Sequence, residues 1–484
     1  MKARLLLAAL FVLLSCGVAL SQPSDAASAL SLLNNRTPCN QDTPRVRQFQ
    51  PTTLGARLGA QDAYSIAFEY LVTFYPRWFT YLQSSAGPCN NLLGPVRISP
   101  LYHAVVAIND DTFYASAFIG VKKEPAIVTI PATPDNYSVL QLTLYGNIFA
   151  GIPSNKPGVY GLTSANWQGT LPDGVIRVPI PQDYDDYTVI IFRADKYVNG
   201  QDMRQEAEKF RRGLHAASLS DYLNDPNAGP AQILPEFVFA FPYKAAAVKL
   251  IQEQPIVFLA SLQKALLAGT TPPMTQQEQV LSDTFNMLFQ NPANYPQLIA
   301  GAQAAHDAID HNYLTHTFMG TTWITFTDIG NWNADSQGYL NRSSITDYIQ
   351  YGNNHSAAVY YHSFRDSNYN QLDGTSKSYT LTFLKGQQPD VSRFWSVTAY
   401  LPLGIELVPN DANKYVVASY TPGLVTGDDG SVTIYMSNSK PDNVPEANWL
   451  PVPKGPFNVM LRAYGPQGTV LNNTYVPPPV VAVP

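Results

Sequence analysis

The sequence of 484 residues predicts a mainly β protein with an α segment, in which two antiparallel β-sandwich or jelly-roll-like domains are joined by a helical region. Three observations predict this fold class. Short segments rich in Val, Ile, Tyr and Phe recur in the C-terminal half, and clusters of Pro, Gly, Asn and Asp separate them. In the middle of the chain, apolar residues recur at every third or fourth position, as they do in amphipathic helices.

The first residues are typical of a secretory signal. Two basic residues precede an apolar run over residues 5–14, and the Ala-Leu-Ser of residues 19–21 offers a small-residue cleavage site. We therefore expect a signal peptide over residues 1–21 and an N-terminal arm over residues 22–59. The mature protein should be secreted or extracellular, or periplasmic in a bacterium. Cleavage before Cys16, which would make the chain a lipoprotein, is the alternative. No later segment is apolar over the length that a membrane span requires.

Two cysteines, Cys39 and Cys89, remain once the signal is removed. An even pair in a secreted chain predicts one disulfide, which would stabilise the fold by about 4 kcal/mol in the chain-entropy account. The alternative is two unpaired thiols. Glycosylation in a eukaryotic host is predicted at five sequons, which begin at Asn35, Asn136, Asn341, Asn354 and Asn472.

Residues 60–200 are predicted to form the first β domain, and the polar run Asn109-Asp110-Asp111-Thr112 stands out within it. Apolar segments over residues 104–108 and 113–118 flank this run. One interpretation is a hairpin turn, because Asn and Asp side chains hydrogen-bond their own backbone. The other is a carboxylate, Asp111, that lines a pocket beside the phenol of Tyr114.

Residues 201–318 are predicted to form the helical region. Helices are expected over residues 201–224, 255–267, 275–289 and 295–310, with prolines marking their starts and stops. Three histidines at five-residue spacing, 306, 311 and 316, step about 140 degrees around a helix and do not share one face. We therefore expect them to be solvated, and we expect no metal site.

Residues 319–484 are predicted to form a β sandwich. Strands are expected over residues 397–400, 415–418, 432–436 and 457–464, and Asp429-Gly430 predicts a hairpin.

Five blocks in this half resemble, in order, the domain of unknown function 1214: FWSVTAY, YTPGL, DGSVTIY, ANWLP and LRAYGP. In the first half, the stretch from ISPLYHAVVAINDDTFYASAF to AIVTIP, with YSVLQLTLYGNIFAG and TVIIFRADKY, resembles the partner domain of unknown function 1254. The chain therefore resembles the paired, uncharacterised family in which the first domain precedes the second.

The resemblance selects candidate site residues. Family members carry residues similar to Asn109, Asp111, Thr112 and Tyr114 in the first domain, and the second domain has matches at Arg342, Tyr360, Asp366 and Asp373. The catalytic candidates are Asp111, Tyr114 and Asp366. The ligand-binding candidates are Asn109, Arg342 and Tyr360. Arg342 suits either a substrate carboxylate or a structural pair with Asp366.

Two further arginines, Arg193 and Arg462, are lone charges within otherwise apolar strands. A buried arginine must be paired, so each implies a carboxylate or carbonyl partner.

Composition and motifs restrict the function. A net charge of −6 argues against a nucleic-acid surface, and no phosphate loop, zinc helix or nucleophile elbow is present in the sequence. No cofactor is expected. One hypothesis is a binding or surface protein for glycans or small molecules. The other is an exported hydrolase or lyase with Asp111 or Asp366 as general acid or base and Arg342 holding an anion in a pocket between the domains. A homo-oligomer stays open.

Overall fold

The computed structural model describes residues 62–85, 87–103, 105–182, 186–234 and 242–483. The predicted signal peptide and the whole predicted arm, with its Cys39 and Asn35, lie outside the described residues. The predictions for those segments stay predictions.

The first sheet-rich domain consists of two main sheets and a separate two-stranded ribbon, β8-β9. In chain order its strands are β1 Leu93–Pro95, β2 Thr112–Gly120, β3 Ala126–Ile130, β4 Tyr137–Leu142, β5 Gly158–Thr163, β6 Val175–Pro179, β7 Tyr187–Asp195, β8 Tyr197–Val198, β9 Gln201–Asp202, β10 His215–Ser218 and β11 Gln232–Leu234. Sheet 1 has the order β11-β1-β2-β7-β4, and sheet 2 has the order β10-β3-β5-β6. Their pairings are antiparallel except for β1 with β11 and β5 with β6. Apolar side chains from both sheets, including Ala115, Val128 and Leu162, form one core.

The second sheet-rich domain has the same two-sheet plan. Its strands are β12 Trp323–Ile324, β13 Ala358–Ser363, β14 Ser378–Phe383, β15 Val391–Leu401, β16 Glu406–Leu407, β17 Val416–Ala418, β18 Val432–Ser437, β19 Trp449–Pro451, β20 Asn458–Pro466 and β21 Val480–Val483. Sheet 3 has the order β12-β13-β20-β15-β16, with β17 also paired to β15, and sheet 4 has the order β19-β18-β14-β21. All four strands predicted between residues 397 and 464 are present.

The hairpin prediction at Asp429-Gly430 is wrong. The chain does turn tightly there, because Gly430 has a φ of +81° and its N–H donates to the carbonyl of Gly427. The strand that follows, β18, pairs with β14 and β19 rather than with the strand before the turn.

The helices are α1 Ala63–Ser84, α2 Arg204–Arg212, α3 Leu219–Asn224, α4 Tyr243–Glu253, α5 Pro255–Leu267, α6 Gln276–Phe289, α7 Tyr295–Thr315, α8 Ser336–Ile349 and α9 Gly468–Leu471. The helices predicted at residues 255, 275 and 295 are confirmed. The single helix predicted over residues 201–224 is wrong, because strand β10 separates α2 from α3. Helices α1 and α8 lie inside the segments that were predicted to be β domains.

Helix α1 is the centre of the helical layer and is buried along most of its length. It packs against α5, α6, α7 and α8. At Gly301 of α7 a Cβ atom would lie 2.2 Å from the carbonyl oxygen of Tyr64, so only glycine permits this approach. The helices share one core with a face of sheet 1 and a face of sheet 3, through residues such as Ile191 and Met460. Helical material therefore joins two sheet-rich domains, as predicted.

The prediction of solvated histidines is wrong for His306, which is buried in α7 against Tyr75. His311 and His316 are exposed. Among the helices of the described ranges, none combines the length and apolar character needed to cross a bilayer.

An ion pair connects the two domains. Arg393 of β15 donates through Nε to Asp195 of β7 at 3.0 Å and also through Nη2. Asp135 interacts electrostatically with both members of this ion pair. It is buried, and neither of its carboxylate oxygens has a hydrogen-bond partner among the described residues. Burial raises the pKa of Asp135 to about 7, and the charges of Asp195 and Glu206 also raise it.

We expect Asp135→Asn to increase the free energy of unfolding at pH 8 by about 1–2 kcal/mol, a value that allows for solvent screening. The folded-state pKa lies above the unfolded-state value of 3.8. The stabilising contribution of this carboxyl is therefore fully present below about pH 4 and is lost as the pH rises through 7. Urea unfolding between pH 5 and pH 8 measures the effect. Asp307→Asn, at an exposed position of α7, is the control. A wild-type stability that does not fall over this range, or an unchanged variant, would contradict the prediction.

Candidate functional site

A pocket lies where sheet 1 and sheet 3 approach each other, beside the C-terminal ends of α1 and α8. Its cavity volume is about 120 Å³. Because one water occupies roughly 10–15 Å³ on this measure, the pocket has room for about ten non-hydrogen atoms. Most of the lining is apolar, and the polar groups include two arginines. The lining residues are Gln83, Gly87, Pro88, Asn91, Leu93, Tyr102, Val105, Ala107, Ile108, Asn109, Tyr114, Ser116, Ala117, Phe118, Val189, Ile191, Arg193, Ile349, Gln350, Tyr351, Gly352, Asn353, Tyr360, Arg462 and Tyr464.

Sheet 1 forms one wall of the pocket. Strands β2 and β7 form three cross-strand pairs along this wall. These are Tyr114 with Arg193, Ser116 with Ile191, and Phe118 with Val189. Alternate residues of a strand lie on one face, so these three pairs line the same wall over about 14 Å. The wall is polar at the Tyr114 end and apolar at the Phe118 end. The exposed Pro88 also lines the pocket, and the N–H of Asn90 donates to the carbonyl of Phe118, so the apolar end is the one near solvent.

Sheet 3 closes the polar end. Tyr360 of β13 is the cross-strand neighbour of Arg462 of β20, and Tyr464 follows on the same face of β20. Each of the two sheets thus contributes a tyrosine paired across strands with an arginine. The two pairs lie at the same end of the pocket.

Asn109 connects the two sheets. The hydroxyl of Tyr114 donates to its Oδ1 at 2.5 Å, and its Nδ2 donates to the hydroxyl of Tyr464. The hydroxyl proton of Tyr464 then has no acceptor among the described residues. Reversing the amide would assign that proton to Asn109 and leave the proton of Tyr114 without an acceptor. Either orientation leaves one phenol with a hydrogen bond still to donate.

Asn353, which follows α8, makes the second connection. Arg193 donates from Nη1 to its Oδ1 at 2.9 Å, and because arginine cannot accept, the amide orientation is determined. The side-chain Nδ2 and the backbone N–H of Asn353 donate to the hydroxyl of Tyr360 at 2.9 and 2.8 Å. The proton of Tyr360 has no acceptor in the described part of the chain.

The two arginines are held by backbone carbonyls rather than by carboxylates. Arg193 donates from Nη2 to the carbonyl of Tyr351 at 2.8 Å, and Arg462 donates from Nη2 to that of Ala107 at 2.6 Å. The Nη1 of Arg462 is buried without a partner among the described residues. The prediction of a carbonyl or carboxylate partner for each arginine is thereby confirmed.

The two residues that offer these carbonyls have strained backbones. The φ angles of Ala107 and Tyr351 are +56° and +60°, in the left-handed region that residues with a Cβ rarely adopt. Each such conformation costs about 1–3 kcal/mol and concentrates at binding and active sites. Both strained positions line the pocket.

Three ionisable groups of the polar end, Tyr114, Tyr464 and Arg462, keep their ordinary charges. Burial raises the pKa of Tyr114 and, more strongly, that of Tyr464, so both remain neutral phenols that can donate. Burial alone would lower the pKa of Arg462, but neighbouring groups, among them the carboxylate of Asp111, outweigh it and the pKa is raised. Arg462 is therefore a buried cation.

Asp111 does not line the pocket. Its carboxylate is fully buried and accepts hydrogen bonds from the hydroxyls of Ser396 at 2.7 Å and Tyr420 at 2.6 Å. Because Ser396 pairs across strands with Arg462, Asp111 lies beside the arginine on the same face of sheet 3. The hairpin interpretation of this run is also wrong, since no strand precedes it at residues 105–108.

The structure does not place Asp366 or Arg342 in the pocket either. Asp366 is buried and accepts from the backbone N–H groups of Asn368 and Asn370, as a turn-forming residue does. Arg342 lies on α8, donates to the carbonyl of Thr73 at 2.5 Å and packs on the ring of Tyr145. The predicted pair between Arg342 and Asp366 is wrong. Of the six candidates, Asn109, Tyr114 and Tyr360 come together, while Asp111, Asp366 and Arg342 do not.

The described lining residues include no Asp, Glu, His, Cys or Lys. Among the described residues, the group of side chains that could hold a metal ion lies elsewhere, at His306, Asp310 and Asp347, whose ligand atoms are within 4.8 Å of one another. The ammonium of Lys244 already forms an ion pair with Asp347.

The sequons differ in accessibility. Asn354 and Asn472 are exposed, and Asn136 is half-buried. Asn341 is buried within α8, and its amide donates to Asp328 at 2.8 Å, so it is unsuited to carry a glycan.

Comparison with protein families gives two matches. Residues 90–218 match the model of a protein of unknown function, DUF1254, and residues 357–468 match that of a second, DUF1214. The prediction of this domain pair, in this order, is confirmed. No curated protein matches the chain.

Among solved structures, the VPA0106 protein from Vibrio parahaemolyticus is 21% identical with a TM-score of 0.57, covering 87% of this chain and 100% of the other. An uncharacterised protein from Burkholderia cenocepacia is 13% identical with a TM-score of 0.41, covering 95% of this chain and 94% of the other. The first likeness shows a shared fold.

Both matched segments contribute to the polar end of the pocket. Asn109, Tyr114 and Arg193 belong to the first segment, and Tyr360, Arg462 and Tyr464 to the second. The sequence-based candidates omitted Asn353 and Tyr464. The signal for Tyr464 was its position two residues after Arg462, which puts both side chains on one face of a strand.

Proposed function

We propose that this chain, which carries the domain of unknown function 1254 followed by the domain of unknown function 1214, is an exported binding protein that holds one small molecule between its two domains. The observation that carries the proposal is the junction pocket, whose lining is mostly apolar by area and whose two arginines lie at one end with Tyr114, Tyr360 and Tyr464. Small-molecule sites have this composition, and they occur preferentially at domain interfaces. The strained backbone at Ala107 and Tyr351 supports a functional use of the same cavity.

A small molecule suits the pocket better than a glycan. Room for about ten non-hydrogen atoms limits a carbohydrate ligand to a single sugar unit. Along the wall that Ile191, Val189 and Phe118 form, the hydroxyl of Ser116 is the one polar side-chain group that the described residues offer to a sugar.

The two carboxylates on which the enzyme hypothesis depends do not lie in the pocket. Asp111 and Asp366, the expected general acid or base, bind groups of the protein itself. A general acid or base must lie within hydrogen-bond reach of the reacting group. Neither carboxylate lines the pocket.

Export is supported by the sequence features at the N-terminus. The signal over residues 1–21, the disulfide between Cys39 and Cys89, and the glycosylation of exposed Asn354 and Asn472 belong to this proposal.

We expect the purified protein to bind members of a library of compounds with about ten non-hydrogen atoms, without turning over any of them. A ligand present at 100 times its Kd should raise the free energy of unfolding by about 2.7 kcal/mol. Thermal shift measures binding, and incubation with an ester and glycan library measures turnover. Turnover that disappears in Asp111→Ala or Asp366→Ala would contradict the proposal, and so would a library in which no compound shifts the transition.

A further inference from the structure

We infer that the ligand of the junction pocket is a monocarboxylate, whose anionic group binds Arg462, Tyr360 and Tyr464 and whose apolar body extends along sheet 1 towards Phe118. The inference rests on the proposed binding function and names its ligand class.

The polar end has more hydrogen-bond donors than acceptors. Arg462 Nη1 has no partner among the described residues, although Arg462 is only 2% exposed. The hydroxyl of Tyr360 accepts two hydrogen bonds from Asn353 and has its own proton left to donate. With Asn109 in the orientation of the structure, the single hydroxyl proton of Tyr464 is also left to donate. A ligand that satisfies three donors must present an acceptor group.

The same end has more positive than negative charge. Arg193 and Arg462 are both buried, and neither lies within salt-bridge distance of a carboxylate belonging to the described residues. Other cations at this domain junction are paired, since Arg393 binds Asp195 and Lys196 binds Asp110. The buried carboxylate of Asp111 lies nearby and offsets part of this charge, but it is not within salt-bridge distance of either arginine. Burying a charge without a contacting counter-ion is costly, and an anionic ligand reduces that cost.

The positions of the donors suit a carboxylate. Tyr360 and Arg462 are direct cross-strand neighbours, with Cβ atoms about 5 Å apart, and Tyr464 is the next residue on that face of β20. A carboxylate has two oxygens with about four acceptor positions, enough for one N–H and two phenol donors. Arg193 already donates from Nη1 to Asn353 and from Nη2 to the carbonyl of Tyr351. Arg193 therefore attracts the anion through its charge, while Arg462 contacts the anion directly.

The rest of the pocket selects the size and polarity of the part of the ligand beyond its carboxylate. Beyond the polar end the wall is formed by Ile191, Val189 and Phe118, with the hydroxyl of Ser116 between them, and it reaches the solvent side near Pro88. Octanoate, with about ten non-hydrogen atoms, has the size and polarity of the expected ligand.

Isothermal titration calorimetry of the whole secreted protein with octanoate and with octanamide tests the inference. The two probes have the same shape, but only octanoate is charged. We expect octanoate to bind at least about tenfold more tightly. In Arg462→Met that preference should fall to less than about threefold, while octanamide binds nearly as before.

Two hydroxyl deletions keep the test valid if Arg462→Met does not fold. Tyr464→Phe should weaken octanoate binding by about threefold to tenfold. Tyr361→Phe is the matched control, because its buried hydroxyl has no partner among the described residues and faces the opposite side of β13. It should leave the Kd unchanged.

The outcomes separate the inference from the proposed function. Equal affinity for the two probes, or a preference for octanoate that persists in Arg462→Met or is unaffected by Tyr464→Phe, overturns the carboxylate inference and leaves a binding pocket. Binding of neither probe overturns the inference. If the compound library also produces no ligand, the proposed function is overturned with it.

Discussion

Replacing Asp347 by alanine is expected to lower the free energy of unfolding by about 3–5 kcal/mol. Asp347 is fully buried on α8, where the hydroxyl of Tyr75 donates to its Oδ1 at 2.6 Å and Lys244 binds its Oδ2. The variant leaves the buried ammonium of Lys244 without its counter-ion, which costs far more than the loss of an exposed ion pair. Urea or guanidinium unfolding monitored by circular dichroism measures the change.

A double variant provides the control. Lys244→Met combined with Asp347→Leu removes both charges and fills the space with apolar groups, so it should recover most of the stability that Asp347→Ala loses. A loss below about 1 kcal/mol for Asp347→Ala would contradict the burial of this pair. Recovery should also preserve ligand binding, because the residues just after Asp347, from Ile349 to Asn353, line the pocket.

Filling the pocket with a large side chain on sheet 1 is expected to abolish ligand binding and to change the free energy of unfolding little. Ser116 lies in the middle of the pocket wall, is half-buried and pairs with Ile191 across the strands. In Ser116→Trp the indole should occupy most of the 120 Å³ cavity and weaken binding by at least about 100-fold. Calorimetry with any ligand of the wild-type protein measures the loss.

The matched control is Ser116→Ala, which removes a hydroxyl and leaves the cavity open. It should bind within about threefold of wild type. Unchanged binding by Ser116→Trp would place the ligand outside this pocket. Unfolding measurements on both variants establish that the lost affinity is not lost structure.

The sequence predicted the strands of the second domain well because their residues alternate and turn formers separate them. Helices α1 and α8 were not predicted from the sequence, and the reason is physical. Helix α1 is rich in aromatic residues and is buried on nearly every side, so it has no polar stripe to reveal a helical period. Helix α8 carries Ser, Thr and Asn at buried positions, which single-residue propensities assign to turns.

The site was predictable in part. Arg193 and Arg462 were identifiable because a charge inside an apolar strand needs a partner, and both lie at the polar end of the pocket. Asp111 and Asp366 were wrong candidates because an aspartate beside a turn has the same sequence pattern whether it binds a ligand or the protein's own groups. The connections through Asn109 and Asn353 depend on two sheets facing each other. That arrangement arises from packing of the helices and cannot be read from local patterns.

A crystal structure of the protein with saturating octanoate tests the central claim most directly. The account predicts one ligand between sheet 1 and sheet 3, with its carboxylate within about 3 Å of Arg462 Nη1 and of the hydroxyl of Tyr360. Its alkyl chain should run past Ser116 to Phe118. A pocket that contains only water at saturation, or a ligand bound elsewhere on the protein, would contradict the account.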